Sequence, residues 1–169
     1  YVAPPCRFGY RALGEVIIGL NFGVLPVVGA YYVQTGTTSW HAVLASLPIA
    51  FAIVLVLWVN EIPDIETDIA AGKRTLVNLM GRKAASQGGV LTLALLLFGS
   101  LFAAVFTGSL IPLTLVSILS FGLIRTVVVD NWAMPSNPRD LLDAQETAIK
   151  LHMIVGLVIA LSALAALVG

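Results

Sequence analysis

The sequence predicts an all-α integral membrane protein. Charged residues make up 11% of its 169 residues and hydrophobic residues 59%, whereas a soluble domain carries about 25% charged residues. The mean hydropathy is +0.98. A helix needs roughly 20 apolar residues to cross a bilayer, and such runs lie at residues 13–33, 41–59, 87–107, 110–129 and 149–168. We therefore expect residues 1–169 to form a single transmembrane helical domain with five spans.

The first two spans contain residues that predict their surroundings. Span 13–33 carries Glu15, Asn21 and Pro26, which lipid tolerates only where neighbouring helices cover them. One face of this helix should therefore point into a bundle or cavity. Trp40 precedes the second span and Trp58 closes it, and aromatic rings at span ends are typical of membrane interfaces.

The later spans are bounded by two different connections. Only residues 108–109 separate the third and fourth spans, which predicts a tight helical hairpin. The longer connection at residues 130–148 contains Asn137 and Pro138. These residue types suit the N-cap and first position of a helix, so we expect a short surface helix before the fifth span.

The charge balance narrows the classes of partner. Nine basic and nine acidic residues give a formal net charge of zero, without the basic footprint that nucleic-acid binding requires. Lipids and lipid-soluble molecules are the expected partners. The chain begins with Tyr1 and has no signal-peptide pattern at its start, so we expect it to be the later part of a longer protein.

The positions of lysine and arginine predict the orientation. They fall in the leading loop (residues 1–12), in the charged segment 60–86, and around the connection 130–148, while loops 34–40 and 108–109 contain none. Spans that alternate in direction put all basic regions on one side, and basic loops are retained in the cytoplasm. The charged segment is therefore expected in the cytoplasm and the C-terminus at Gly169 outside.

The charged segment holds the candidate chemistry. Asp64 and Asp68 are four residues apart, so on a helix both carboxylates face one point, where they repel unless a cation neutralises them. Oxygen ligands without a nearby histidine or cysteine suit Mg²⁺, which binds one or two carboxylates together with phosphate oxygens. Asn60 could add a neutral oxygen, but Pro63 should kink or restart the helix between them.

Two cations follow the carboxylates. Gly72 provides a C-terminal stop for the helix, and Lys73 and Arg74 come directly after it. A divalent metal together with two basic side chains would suit a diphosphate. Spacing alone leaves a second interpretation open, in which these charges only mark a solvated cytoplasmic loop. For Glu61 and Glu66, which lie off the Asp64/Asp68 face, we favour that second interpretation.

The residues also resemble a known family. The string NEIPDIETDIAAGKRTL, followed by VNLMGRKAA, is similar to the second aspartate-rich motif of the UbiA superfamily of intramembrane aromatic prenyltransferases. The similarity is closest to the 1,4-dihydroxy-2-naphthoate polyprenyltransferase (MenA-like) branch. YVAPPCRFGYRALGE at the start and GAYYVQTG at the end of the first span resemble the same branch.

The resemblance implies a bundle of nine transmembrane helices, of which the five spans here would be helices five to nine. It implies a multi-pass protein of a prokaryotic plasma membrane that works in menaquinone, an isoprenoid quinone, biosynthesis. An isoprenyl diphosphate and an aromatic acceptor would be its substrates and Mg²⁺ its cofactor. The first four helices, with a first motif of the type NDxxDxxxD, would belong to a missing N-terminal half.

The resemblance also implies roles for individual residues. Asp64 and Asp68 would be catalytic magnesium ligands, with Asn60 opening the motif. Lys73 and Arg74 would bind the diphosphate. The family uses a tyrosine and a lysine before the fifth helix, for which Tyr1 and Arg7 are the candidates here, and Arg11 competes with Arg7. Glu15 and Asn21 would line the acceptor side or serve helix packing.

Two other functions stay open at this point. In a cation or small-solute transporter the acidic residues would form an ion path, but transporters place such charges at mid-membrane depth and these spans are poor in acidic residues. The chain alone could also be an inactive structural fragment, since it lacks a first metal motif.

Overall fold

The computed structural model describes residues 1–82, 84–85 and 138–168, and all regular structure in these ranges is helical. A short 3₁₀ turn at Phe8–Tyr10 lies in the leading loop. Four helices follow, which we label α1 (Gly14–Thr35), α2 (Trp40–Glu61), α3 (Ile65–Ala70) and α4 (Pro138–Val168). Residues 76–82 are also helical. The predicted all-α class is therefore confirmed.

Three stretches within these helices are long and apolar enough to cross a membrane: Gly14–Thr35, Trp40–Glu61 and Leu142–Leu161. The first two match the predicted spans 13–33 and 41–59. The predicted spans 87–107 and 110–129 lie outside the described residues, so the count of five spans stays a prediction. Helix α4 begins at Pro138 and runs for 31 residues without a break. It joins the expected surface helix and the fifth span into one element.

Helix α2 lies at the centre and packs against both α1 and α4. The contact with α4 is apolar and buries the side chains of Ala52, Leu55, Val59, Ala144, Ala148, Leu151, Val155 and Val158. The contact with α1 depends on Gly23, where an added Cβ would overlap the backbone of Ala50. Small residues let membrane helices approach closely, so the absence of a side chain at Gly23 allows the α1–α2 contact.

Helix α1 changes its winding in the middle. Residues Gly14–Gly19 are α-helical, Leu20–Val24 form a π-helical turn, and Leu25–Thr35 return to α-helix. Pro26 lacks the N–H that would bond to the carbonyl of Phe22, which accounts for irregular winding just before it. Glu15 and Asn21 of this helix differ in environment, because Glu15 is buried whereas Asn21 is exposed.

The two tryptophans at the ends of α2 also differ. Trp40 is 79% exposed, as an interfacial ring would be, but Trp58 is only 7% exposed. Trp58 packs with Ile65, Val77 and Ala85, and its indole N–H donates to the carbonyl of Ala85 at 2.7 Å. The expectation of an interfacial ring at Trp58 is therefore wrong. Its ring instead holds the charged segment 60–86 against the end of α2 through these contacts.

Candidate active site

The chain turns sharply where the charged segment begins. Helix α2 ends at Glu61, residues 62–64 form a turn around Pro63, and α3 begins at Ile65 with Asp64 at its N-cap. The backbone N–H of Asp68 donates to the carbonyl of Asp64 at 2.8 Å. The two aspartates therefore lie one helical turn apart, as their spacing predicted, while Asn60 lies on α2 before the turn.

The two aspartates have different surroundings. Asp64 is exposed and its side chain makes no capping hydrogen bond to α3. Asp68 is half-buried, and its Oδ2 accepts a hydrogen bond from Nζ of Lys73 at 2.7 Å. The backbone N–H of Lys73 also donates to the carbonyl of Asp68 at 2.9 Å. Lys73 is thus folded back over the end of α3.

The ammonium of Lys73 is held in its charged form. Partial burial lowers the pKa of Lys73, but the hydrogen bond and the negative charge of Asp68 outweigh this effect. The pKa therefore lies above its ordinary value of 10.5, and Lys73 carries a full positive charge at neutral pH. Arg74 beside it is exposed. The structure thus brings one predicted cation onto a predicted carboxylate and leaves the other facing outward.

The residues after the cations are fixed by a reciprocal cap. Oγ1 of Thr75 accepts from the N–H of Asn78 at 3.1 Å, and Oδ1 of Asn78 accepts from the N–H of Thr75 at 3.0 Å. This is a capping box at the start of the helical segment 76–82. Nδ2 of Asn78 also donates to the carbonyl of Lys73 at 2.8 Å, so the backbone under Lys73 is held directly.

The start of helix α1 is hydrogen-bonded to the segment around Thr75. Oε1 of Glu15 accepts a hydrogen bond from the N–H of Leu76 at 2.6 Å, and the N–H of Ala12 donates to the carbonyl of Arg74 at 2.6 Å. Glu15 is only 2% exposed. The start of α1 and the segment around Thr75 therefore form one unit.

Tyr1 lies over the start of α1. Its ring occupies the space that side chains at Gly9 and Gly14 would need. Partial burial raises the pKa of Tyr1, and the negative charge of Glu61 raises it further. The hydroxyl therefore keeps its proton at neutral pH and is available as a hydrogen-bond donor. Of the residues proposed from the leading loop, Tyr1 is the one that lies near the acidic groups.

The two arginines of the leading loop contact other residues of that loop. Arg7 has a left-handed backbone conformation with φ 44°, and its guanidinium lies over the ring of Tyr10 at 4.2 Å from the centroid. Nη2 of Arg11 donates to the carbonyl of Pro5 at 3.5 Å. Both arginines are exposed, and these contacts stay within the leading loop.

The prediction of a solvated charge at Glu61 is wrong, because the side chain is buried. This residue is 3% exposed, and it lies close to Glu15, Lys73 and Asp68. Glu61 and Glu15 lie side by side, and among the described residues no other group forms a hydrogen bond with the carboxylate oxygens of Glu61 or with Oε2 of Glu15. The proximity of Glu15 and Glu61 could have been predicted from the sequence, because consecutive membrane spans run in opposite directions. Glu15 at the start of the first span and Glu61 at the end of the second must then lie at the same membrane face.

The site offers oxygen ligands and cations at the end of apolar helices. Among the described residues no three histidine, cysteine, aspartate or glutamate side chains form a metal-binding group. Asp64 and Asp68 nevertheless fit the Mg²⁺ mode in which one or two carboxylates bind the ion and substrate phosphates and water complete its shell. Lys73 and Arg74 follow five and six residues after Asp68, and their side chains are of the type that binds phosphate oxygens.

Helices long and apolar enough to cross a membrane, with charged side chains gathered at one end, are the features of an integral membrane protein. The comparison with known families identifies it further. Residues 1–141 match the model of the UbiA prenyltransferase family, and the chain belongs to this family.

Several proteins are similar to parts of the chain. The 2-carboxy-1,4-naphthoquinone phytyltransferase of Synechocystis sp. is 37% identical over 94 residues, which are 56% of this chain and 30% of that protein. The 1,4-dihydroxy-2-naphthoate octaprenyltransferase of Bacillus subtilis is 34% identical over 85 residues, 50% of this chain and 27% of that protein. UbiA prenyltransferase domain-containing protein 1 of Dictyostelium discoideum is 40% identical over 83 residues, 49% and 25% of the two chains.

The similarity covers less than a third of each relative: the aligned residues make up 30%, 27% and 25% of their lengths. No solved structure matches the chain.

Proposed function

We propose that this chain is part of an enzyme that transfers a polyprenyl group from an isoprenyl diphosphate to a dihydroxynaphthoate-like acceptor in quinone biosynthesis. Membership of the UbiA family and relatives named for naphthoate and naphthoquinone substrates support the substrate class. The observation that carries the proposal is the joining of Asp64, Asp68 and Lys73 in one short segment, with Lys73 Nζ 2.7 Å from Asp68.

The reaction is an electrophilic aromatic substitution. The bond between the prenyl carbon and the diphosphate oxygen breaks, and its electron pair leaves with the diphosphate. A ring carbon of the acceptor forms the new bond to the prenyl carbon and then loses its proton to the released diphosphate or to a carboxylate. Negative charge grows on the leaving diphosphate, which is where fixed cations stabilise the transition state most.

Different residues of this chain are proposed to bind the diphosphate and the metal ion. Lys73 and Arg74 bind the diphosphate, and the hydroxyl of Tyr1 donates a hydrogen bond to a leaving oxygen. Arg7 and Arg11 are further candidates on the leading loop. Asp64 and Asp68 would hold Mg²⁺, with Asn60 as an additional oxygen donor, and a bound ion would supply positive charge near the diphosphate. The apolar helices exclude water from the reacting carbon.

We further propose that the site faces the cytoplasm of a prokaryotic cell from its plasma membrane. The family resemblance implies an N-terminal half that contributes a first aspartate-rich motif and the remaining four helices. The five spans would then be helices five to nine, with the C-terminus outside. An inactive isolated chain is consistent with this arrangement, so activity is tested with both halves together.

The test is prenyl transfer in detergent micelles, with this chain assayed alone and joined to an N-terminal half that carries the first motif. Labelled isoprenyl diphosphate, dihydroxynaphthoate and Mg²⁺ are supplied. We expect activity only in the joined protein, and a loss of at least about 100-fold in Asp64→Ala and in Asp68→Ala. The matched control is Glu66→Ala, which removes an exposed carboxylate of α3. Wild-type activity in both aspartate variants would exclude the proposed metal site.

A further inference from the structure

A buried carboxylate on the first membrane helix reaches the segment that carries the cations. Glu15 and Leu76 are 61 positions apart, yet Oε1 of Glu15 accepts the N–H of Leu76 at 2.6 Å. Leu76 is the first residue of the helical segment 76–82, and N–H groups in the first turn of a helix have no acceptor within the helix. Glu15, which lies on α1, therefore provides the hydrogen-bond acceptor that the N–H of Leu76 does not have within its own helix.

The same region contains a second cross-link to the leading loop. The N–H of Ala12 donates to the carbonyl of Arg74 at 2.6 Å. The two hydrogen bonds flank Thr75, which is 2% exposed. The backbone on both sides of Thr75 is thus fixed to the start of α1, and the position of α1 is fixed in turn by the close contact between Gly23 and Ala50.

The hydrogen bonds continue from Leu76 to Lys73. The helical turn that Leu76 opens contains Asn78, and Nδ2 of Asn78 donates to the carbonyl of Lys73 at 2.8 Å. A displacement of the first turn would move Asn78 and release the backbone of Lys73. The side chain of Glu15 does not itself need to touch a ligand to affect where Lys73 lies.

We propose that Glu15 is a positioning residue for the diphosphate-binding segment, acting through Leu76 and the first turn of the helix 76–82. This inference rests on the proposed binding of diphosphate by Lys73 and Arg74. It assigns to a buried glutamate of α1 a role in holding a segment that lies 61 positions away in the chain.

The experiment compares Glu15→Ala with Glu15→Gln, which keeps a side-chain oxygen acceptor of the same length. The protein is the joined, active form in detergent. In Glu15→Ala we expect the KM for isoprenyl diphosphate to rise about tenfold, since a buried N–H loses its acceptor. The KM for the aromatic acceptor should change less than about twofold. In Glu15→Gln the KM for diphosphate should stay within about threefold of wild type. Glu66→Ala controls for the loss of a carboxylate.

A second variant removes the donor instead of the acceptor. Leu76→Pro deletes the N–H at a position where helices tolerate proline. It should raise the KM for diphosphate as Glu15→Ala does, and the double variant should be no worse than Leu76→Pro alone, because both changes break one hydrogen bond. A further rise in the double variant would show that Glu15 acts by another route and would overturn the proposal.

A readout that needs no turnover separates this inference from the proposed function. Amide hydrogen exchange in a peptide covering residues 73–79 should become about tenfold faster in Glu15→Ala and stay near wild type in Glu15→Gln. Unchanged exchange in Glu15→Ala, or equal shifts of KM for both substrates, contradicts the positioning role. If wild-type protein transfers no prenyl group, the proposed function fails, and faster exchange in Glu15→Ala still supports the positioning of the segment.

Discussion

Nζ of Lys73 lies 2.7 Å from Oδ2 of Asp68. Lys73, which we propose binds the diphosphate, and Asp68, which we propose binds the metal ion, therefore form an ion pair with each other in this structure. A divalent ion that binds Asp68 must compete with the ammonium for the same carboxylate. The ammonium released by that competition is free to bind phosphate oxygens. Metal and diphosphate binding should therefore be coupled through this ion pair.

This competition predicts opposite effects of one substitution on two ligands. Lys73→Met removes the ammonium, so the affinity of Mn²⁺ for the protein without substrate should rise on the order of fivefold, the value of a partly exposed ion pair. The affinity for isoprenyl diphosphate should fall. Mn²⁺ binding is measured by electron paramagnetic resonance. Arg74→Met, which removes the neighbouring exposed cation, is the control and should leave the Mn²⁺ affinity unchanged. Weaker Mn²⁺ binding in Lys73→Met contradicts the competition.

The same ion pair predicts a dependence of stability on pH. The pKa of Lys73 is raised above 10.5, so its stabilising effect is complete below pH 10.5 and is lost as pH rises through the higher pKa of the folded state. The melting temperature of wild type should exceed that of Lys73→Met by a constant amount from pH 7 to about pH 10. Above pH 10.5 the two should converge. Convergence already at neutral pH would show that the pair contributes nothing to stability.

The packing of α1 against α2 predicts a destabilising glycine substitution. In Gly23→Ala the new methyl group would overlap the backbone of Ala50, which cannot rotate away as a side chain can. Overpacking of this kind costs about 1–3 kcal/mol, so the melting temperature should fall by several degrees. Gly29→Ala in the same helix is the control, because nothing lies within 4 Å of its new methyl group. Equal melting temperatures for the two variants would contradict the close α1–α2 contact.

Much of the architecture follows from local sequence. The apolar runs fix α1 and α2 to within a few residues, and the spacing of Asp64 and Asp68, with Pro63 before them, predicts a turn followed by one helical turn. These features depend on the hydrophobic effect and on backbone geometry, which act between near neighbours. The predicted third and fourth spans lie outside the described residues.

Contacts between distant parts of the chain were not predictable in this way. Nothing near Leu76 in the sequence indicates that its N–H is bonded to Glu15, which lies 61 positions away. Glu61 was predicted to be a solvated charge because it lies off the Asp64/Asp68 face, but the side chain is only 3% exposed. Tertiary packing determines whether such a residue is buried, and the neighbouring residues in the sequence do not carry that information.

The buried hydrogen bond of Trp58 predicts a further loss of stability. Trp58→Phe keeps an aromatic ring but deletes the indole N–H that donates to the carbonyl of Ala85 at 2.7 Å. A buried acceptor left without a partner costs about 1–3 kcal/mol, so the melting temperature should fall by several degrees. Trp40→Phe makes the same chemical change at a ring that is 79% exposed and should have little effect. A Trp58→Phe protein as stable as Trp40→Phe would mean that water or another donor satisfies Ala85, and that Trp58 does not fix the charged segment to α2.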